Sequence, residues 1–150
     1  MPQSFIYNYS HITFSTKNRQ PFINENIQDE LFNYLGGICK NLEFYPIIVG
    51  GHKDHVHILC LLSGKMTLIK FMEQLKSKSS KWIKTKGTDY KNFYWQRGYG
   101  SFSVNPSEVE TVKKYILDQP EHHKKWTFKE EFLAFLKKYD IPYDERYIWD

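Results

Sequence analysis

His55, Val56 and His57 open an apolar stretch whose composition predicts a β-strand over residues 55–62. On a strand, residues two apart point to the same face. The two imidazoles therefore project side by side, and Val56 points into a core. Two neighbouring imidazoles are half of a metal site, and they can equally be two polar-face histidines with no ligand. Tyr115 and Gln119 are four apart on a predicted helix and so share a face. The pair offers a phenol nucleophile and, one turn away, a neutral oxygen ligand. Such a third ligand leaves a catalytic ion open positions for a phosphate oxygen. Taken alone, Tyr115 is as easily a packing residue beside the stripe Val109, Val112 and Ile116. The third feature is charge. Residues 65–91 hold eight lysines against Glu73 and Asp89, whereas the whole chain has a formal net charge of +4. A local basic patch suits a polyanion, and it also reads as a solvated lysine-rich helix.

The elements that must position these groups are legible from periodicity. Residues 5–16 mix aromatic, β-branched and polar side chains and predict a first strand. Asn24 is a candidate cap for a helix running to about residue 42, with Ile27, Leu31, Tyr34, Leu35 and Ile38 at helical spacing. Residues 44–49 predict a second strand, joined to the third by a turn through Gly50, Gly51, His52, Lys53 and Asp54. A long helix is expected over residues 66–84, with Leu68, Phe71, Met72, Leu75 and Trp82 as its apolar stripe. Residues 93–104 predict a bent fourth strand, residues 106–118 a helix begun by Pro106, and residues 128–138 a last amphipathic helix. The order β-α-β-β-α-β is that of a ferredoxin-like, split β-α-β domain. It implies an α+β fold, an antiparallel sheet with helices on one face, plus C-terminal helices. That sheet serves many functions, so the fold by itself selects none.

With 150 residues and neither a repeat nor a linker, the chain reads as a single domain over 1–150. Its 41% hydrophobic and 25% charged residues fit an ordinary globule. The 17% aromatic share suits both a core and stacking on unpaired bases. Cys39 and Cys60 lie in separate apolar stretches, so neither a disulfide framework nor a zinc knuckle is expected. Residues 1–10 lack a basic start followed by an apolar run, and the longest apolar run, residues 58–62, cannot span a bilayer. The expectation is a cytoplasmic protein with no membrane partner.

Taken together, the motifs resemble the HUH single-tyrosine transposases of the simplest bacterial insertion sequences, which are related to REP-associated tyrosine transposases. The matching stretches are Gly51-His52-Lys53-Asp54-His55-Val56-His57-Ile58, Trp95-Gln96-Arg97-Gly98-Tyr99-Gly100-Ser101-Phe102-Ser103, and Lys114-Tyr115-Ile116 with Gln119 and His122-His123-Lys124. Residues 11–19 are also similar to the family's first strand, and the motifs fall in the family's order over nearly the whole chain. One departure is Pro120 directly after Gln119, where a proline ring should end or kink the helix. His122 and His123 read as surface histidines near the site.

The resemblance implies a DNA transposase in which His55, His57 and Gln119 bind a divalent ion and Tyr115 attacks DNA, leaving a 5′-phosphotyrosine. Ligand chemistry favours Mg2+ or Mn2+, with two imidazoles tilting toward Mn2+. Lys53, Lys70, Lys76, Lys78, Lys81, Lys84 and Arg97 are the candidate DNA contacts. The implied partners are single-stranded or hairpin DNA and a second copy of the chain, a homodimer in which the Tyr115 helix can sit in the partner's site. Three rivals stand beside this reading. They are a related tyrosine nuclease processing palindromic repeats of its host, a replication-initiation nuclease, and a ferredoxin-like nucleic-acid-binding module without catalysis.

Overall fold

The computed structural model describes residues 3–149. Four strands, β1 (Tyr9–Ser15), β2 (Tyr45–His52), β3 (His55–Leu61) and β4 (Gly100–Val104), form one sheet in the order β2-β3-β1-β4, every neighbouring pair antiparallel. This is the split β-α-β arrangement, with α1 (Gln28–Asn41) and α2 (Leu68–Lys84) as its two helices.

The alternation of side chains along β1 and β3 divides the molecule in two. Ile12, Phe14, Val56, Ile58 and Cys60 face α1 and α2, where Leu31, Leu35, Ile38, Phe71, Met72 and Leu75 complete the main core. Phe44 stacks on Phe71 with ring centroids 3.9 Å apart. Each such buried side chain contributes about 1.5–3 kcal/mol. The intervening residues His55, His57 and Leu59 turn to the other face, which a single antiparallel sheet would leave to solvent. Here it is covered by α3 (Val109–Leu117), α4 (Gln119–His122) and α5 (Phe128–Lys138). Ile116 packs with Leu59 and Val104, and Phe135 stacks on Phe102 at 5.2 Å.

Local details depart from the expected boundaries for identifiable reasons. Gly50, Gly51 and His52 belong to β2 and not to the turn, so the hairpin closes through Lys53 and Asp54 alone, with His52 paired to His55. Asn24 caps a turn ahead of α1, its side-chain oxygen accepting from the backbone N–H of Asn26 and Ile27, and the helix begins at Gln28. The expected fourth strand is shorter. Trp95 keeps only an isolated bridge to Thr16, and β4 proper starts at Gly100. The reason is Lys76, whose ammonium donates to the carbonyls of Gln96 at 2.8 Å and Gly98 at 2.6 Å and draws them toward α2. The C-terminal aromatic tail folds back, with the Trp149 ring against Phe132 and its carbonyl accepting from the Gln96 side chain.

Gly50 sets the distance between the sheet and the helix that carries Tyr115. A Cβ there would meet the Ile116 methyl Cγ2 at 2.7 Å and the Ile116 carbonyl oxygen at 3.1 Å. Gly50→Val is expected to lower stability by about 1–3 kcal/mol through this overlap, measured by urea unfolding.

Candidate metal and tyrosine site

β3 presents His55 and His57 on the face that the C-terminal helices cover, and both rings are fully buried. A second partner fixes the rear nitrogen of each. Asp54 Oδ1 lies 2.7 Å from His55 Nδ1, and His11 Nε2 lies 2.7 Å from His57 Nδ1. Both Nε2 atoms therefore face the space between sheet and helices, an orientation that groups behind ligand histidines commonly enforce. Burial pushes His57 down to about 4, even with Glu131 drawing it up. Burial and the adjoining His57 hold His11 well below the usual histidine value. At neutral pH the His57 ring is uncharged, the state a metal ligand requires.

Gln119 enters the same space from α4. As expected of Pro120, the α3 helix stops at Leu117, and the chain restarts as a short helix with proline in its first turn. The break does not carry Gln119 away. It is fully buried, with Oε1 2.8 Å from His55 Nε2. Tyr115 stands at the end of α3, its ring edge-on to His57 at 6.0 Å and stacked on His122 at 4.6 Å.

The central group is one that the sequence motifs do not include. Glu131 on α5 is fully buried. Its Oε1 lies 3.0 Å from His57 Nε2 and 3.5 Å from His55 Nε2, and its Oε2 accepts from the Tyr115 hydroxyl and, at 2.9 Å, from the Gln119 amide. His123 is also turned inward and not left on the surface, its Nε2 2.9 Å from Gln119 Oε1. Burial alone would raise the Glu131 carboxyl. The hydrogen bonds of His123 and His57 outweigh it and hold the group far below the usual carboxylate range. Burial first, and then the Glu131 charge and hydrogen bond, push the Tyr115 phenol well above its ordinary value.

The donor atoms of His55, His57 and Glu131 all lie within 4.8 Å of one another. Two imidazole nitrogens and a carboxylate oxygen, with the Gln119 carbonyl beside them, make a donor set that fits a divalent ion of the Mg2+–Mn2+–Zn2+ range. The sequence motif of the IS200-like transposases matches residues 5–119. The chain belongs to that family. Two solved structures share the fold. A candidate transposase from Deinococcus radiodurans R1 superposes with a TM-score of 0.61 at 19% identity, covering 79% of this chain and 96% of its own. A REP-associated tyrosine transposase solved with a REP hairpin superposes at 0.60 and 15% identity, covering 85% and 74%. No curated protein matches the chain.

For this transposase-family chain, the expected site residues Tyr115, His55, His57 and Gln119 come together within one chain, and Glu131, His11, Asp54 and His123 join them. The match to the family ends at residue 119, so Glu131 lies beyond it. Its one sequence signal is its register: Phe128, Glu131 and Phe135 share the inward stripe of α5, where a carboxylate is out of place unless it is paired. The candidate DNA contacts separate. Lys53 sits exposed in the β2–β3 turn next to the site, and Arg97 is exposed in the loop before β4. Lys70, Lys78, Lys81 and Lys84 lie on α2, across the sheet. The ammonium of Lys76 is spent on two backbone carbonyls, and burial brings it down to about 8. Among the described residues, no helix is long and apolar enough to cross a membrane. Asp54→Asn, which keeps the shape and removes the carboxylate behind His55, is expected to weaken Mn2+ binding about 10–100-fold in a calorimetric titration.

Proposed function

We propose that this chain cuts and rejoins single-stranded DNA through a covalent 5′-phosphate link to Tyr115, as a metal-dependent transposase. The observation that carries the reading is the Glu131 bridge, with one carboxylate oxygen toward the His55–His57 pair and the other on the Tyr115 hydroxyl. Nucleophile and ligand set are thereby held together between the sheet and the C-terminal helices.

His55, His57 and Glu131, with Gln119, are the residues that would hold Mg2+ or Mn2+. When bound, the ion supplies positive charge that neutralises phosphate oxygens and favours the phenolate. The protein's own groups do the rest. Glu131 orients the phenol and is the acceptor in reach of its proton. The Tyr115 oxygen forms a bond to phosphorus while the bond to the 3′ oxygen breaks, and that oxygen leaves as a 3′-hydroxyl once protonated. The covalent link conserves the bond energy, so the reverse attack by a 3′-hydroxyl rejoins strands without a nucleoside triphosphate.

The REP-associated relative was solved with a DNA hairpin, which supports hairpin DNA at the element ends as the partner here. An element with two ends needs two tyrosines, hence two copies of the chain. One chain sets Tyr115 beside its own His57, which supports cleavage by a tyrosine of the same protomer. Lys53, Arg97, the exposed α2 lysines Lys70, Lys78 and Lys81, and the half-buried Lys84 serve as phosphate contacts along the flanking DNA. The same relative also favours a second reading, processing of palindromic repeats in the host genome. Copy number and flanking hairpins of the gene separate the two.

The test mixes the purified protein with labelled single-stranded hairpin DNA from its own genomic flanks and Mn2+ or Mg2+. A covalent adduct on a denaturing gel is expected, lost in Tyr115→Phe and with chelator. Retarded DNA without any adduct would leave only a binding module. In the same assay Glu131→Gln is expected to slow adduct formation by roughly 10²–10⁴-fold, as for loss of a proton acceptor.

A further inference from the structure

Beside the ligand cluster lies an open cleft of about 420 Å³ between the β2–β3 turn and the segment linking α4 to α5. That volume falls within the range of small-ligand sites. It shares a wall with the chemistry, because His123 lines the cleft and its Nε2 also reaches Gln119 Oε1 at 2.9 Å. The cleft's acids are already engaged. Asp54 holds His55, and the Glu130 carboxylate closes the capping box at Thr127. Lys124 is paired with Glu121 at 3.0 Å. Among the described residues, Lys53 and Lys125 carry no ion pair, so the unspent charge of the cleft is positive.

Between this cleft and a second hollow, lined by Glu121, His122, Lys125 and Trp126, stands the half-buried Trp126. Its backbone is held at both ends, with its carbonyl 2.9 Å from His123 Nδ1 and its N–H donating to the His122 carbonyl at 3.2 Å. His122 in turn stacks on Tyr115. The segment that stacks His122 on the nucleophile therefore also sets Trp126 in the wall of the cleft that Lys53 and Lys125 line.

We propose that this cleft is a subsite for the unpaired nucleotide adjoining the scissile phosphate, its base on Trp126 and its phosphate on Lys53 and Lys125. The assignment rests on the strand-cleavage reading above and gives it a substrate requirement. Aromatic faces beside unpaired lysines suit single strands, since only an unstacked base can reach the ring. Duplex DNA would present its phosphates and withhold its bases. None of these contacts depends on base identity, so the subsite accepts any base.

The test measures binding of fluorescein-labelled hexathymidylate by anisotropy in a Tyr115→Phe background with Mn2+, alongside adduct formation on flank hairpin DNA with Tyr115 intact. Trp126→Ala is expected to weaken hexathymidylate binding roughly tenfold, with Trp126→Phe restoring most of it. Lys53→Ala and Lys125→Ala are each expected to lower the salt slope of log affinity by about 0.7. Ultraviolet cross-linking of the same oligomer carrying 5-iodouracil is expected to label Trp126 on peptide mapping. If the Tyr115→Phe parent binds the oligomer while Trp126→Ala and Lys125→Ala bind as tightly and the cross-link maps elsewhere, the subsite is overturned and the cleavage reading stands. If the parent binds no oligomer and the Tyr115 protein forms no adduct, both fall.

Discussion

A carboxylate removed from water costs several kcal/mol unless it is well partnered, and every functional element of this chain contributes to partnering one. Glu131 receives hydrogen bonds from the His57 ring on β3, the Tyr115 hydroxyl on α3 and the Gln119 amide on α4. Bonds to a charged group are worth about 1.5–3 kcal/mol each, so three together are of the order needed to offset that burial. The consequence is mutual dependence. Removing one partner leaves the carboxylate short of a donor, and removing the carboxylate frees the phenol and the amide together. The site is thus a structural tie between sheet and C-terminal helices as well as a chemical device.

That tie is possible because the sheet keeps its two faces for different work. The Val56, Ile58 and Cys60 positions of β3 bury against α1 and α2, and this sends His55, His57 and Leu59 to the opposite side. Register then supplies the neighbours, with Thr13 opposite His57, His11 two residues earlier on β1, and Gly50 on β2 leaving room for Ile116. A one-residue slip of β3 would bury the imidazoles in the apolar core and face Val56 to the site. The hydrophobic pattern that folds the sheet is therefore the same constraint that aims the ligands.

Much of this was legible in the residues. Period-two alternation revealed the shared face of His55 and His57. Helical spacing set Tyr115 beside Gln119, and the order of apolar stripes produced the split β-α-β topology. What escaped were interactions between distant segments. Glu131 reads on a helix rich in Lys and Glu as one more surface charge, and only the packing of α5 on the sheet reveals its stripe as inward. Lys76 reads as one of a row of DNA-facing lysines until the turn at Gln96–Gly98 supplies carbonyls for it, an event that also shortens the fourth strand. His11 became part of the site through a tertiary contact that no local spacing encodes, whereas His123 reaches Gln119 from four residues along the chain.

The central claim is that one chain holds a divalent ion among His55, His57, Gln119 and Glu131, next to its own Tyr115. The most direct measurement is anomalous scattering from crystals of the Tyr115→Phe protein grown with Mn2+. A single strong peak bounded by the two histidine Nε2 atoms and the Glu131 carboxylate, in contact with residues of the same chain as Phe at position 115, is the expected result. Ordered protein with no peak there, or Mn2+ held only at surface carboxylates, would contradict the account.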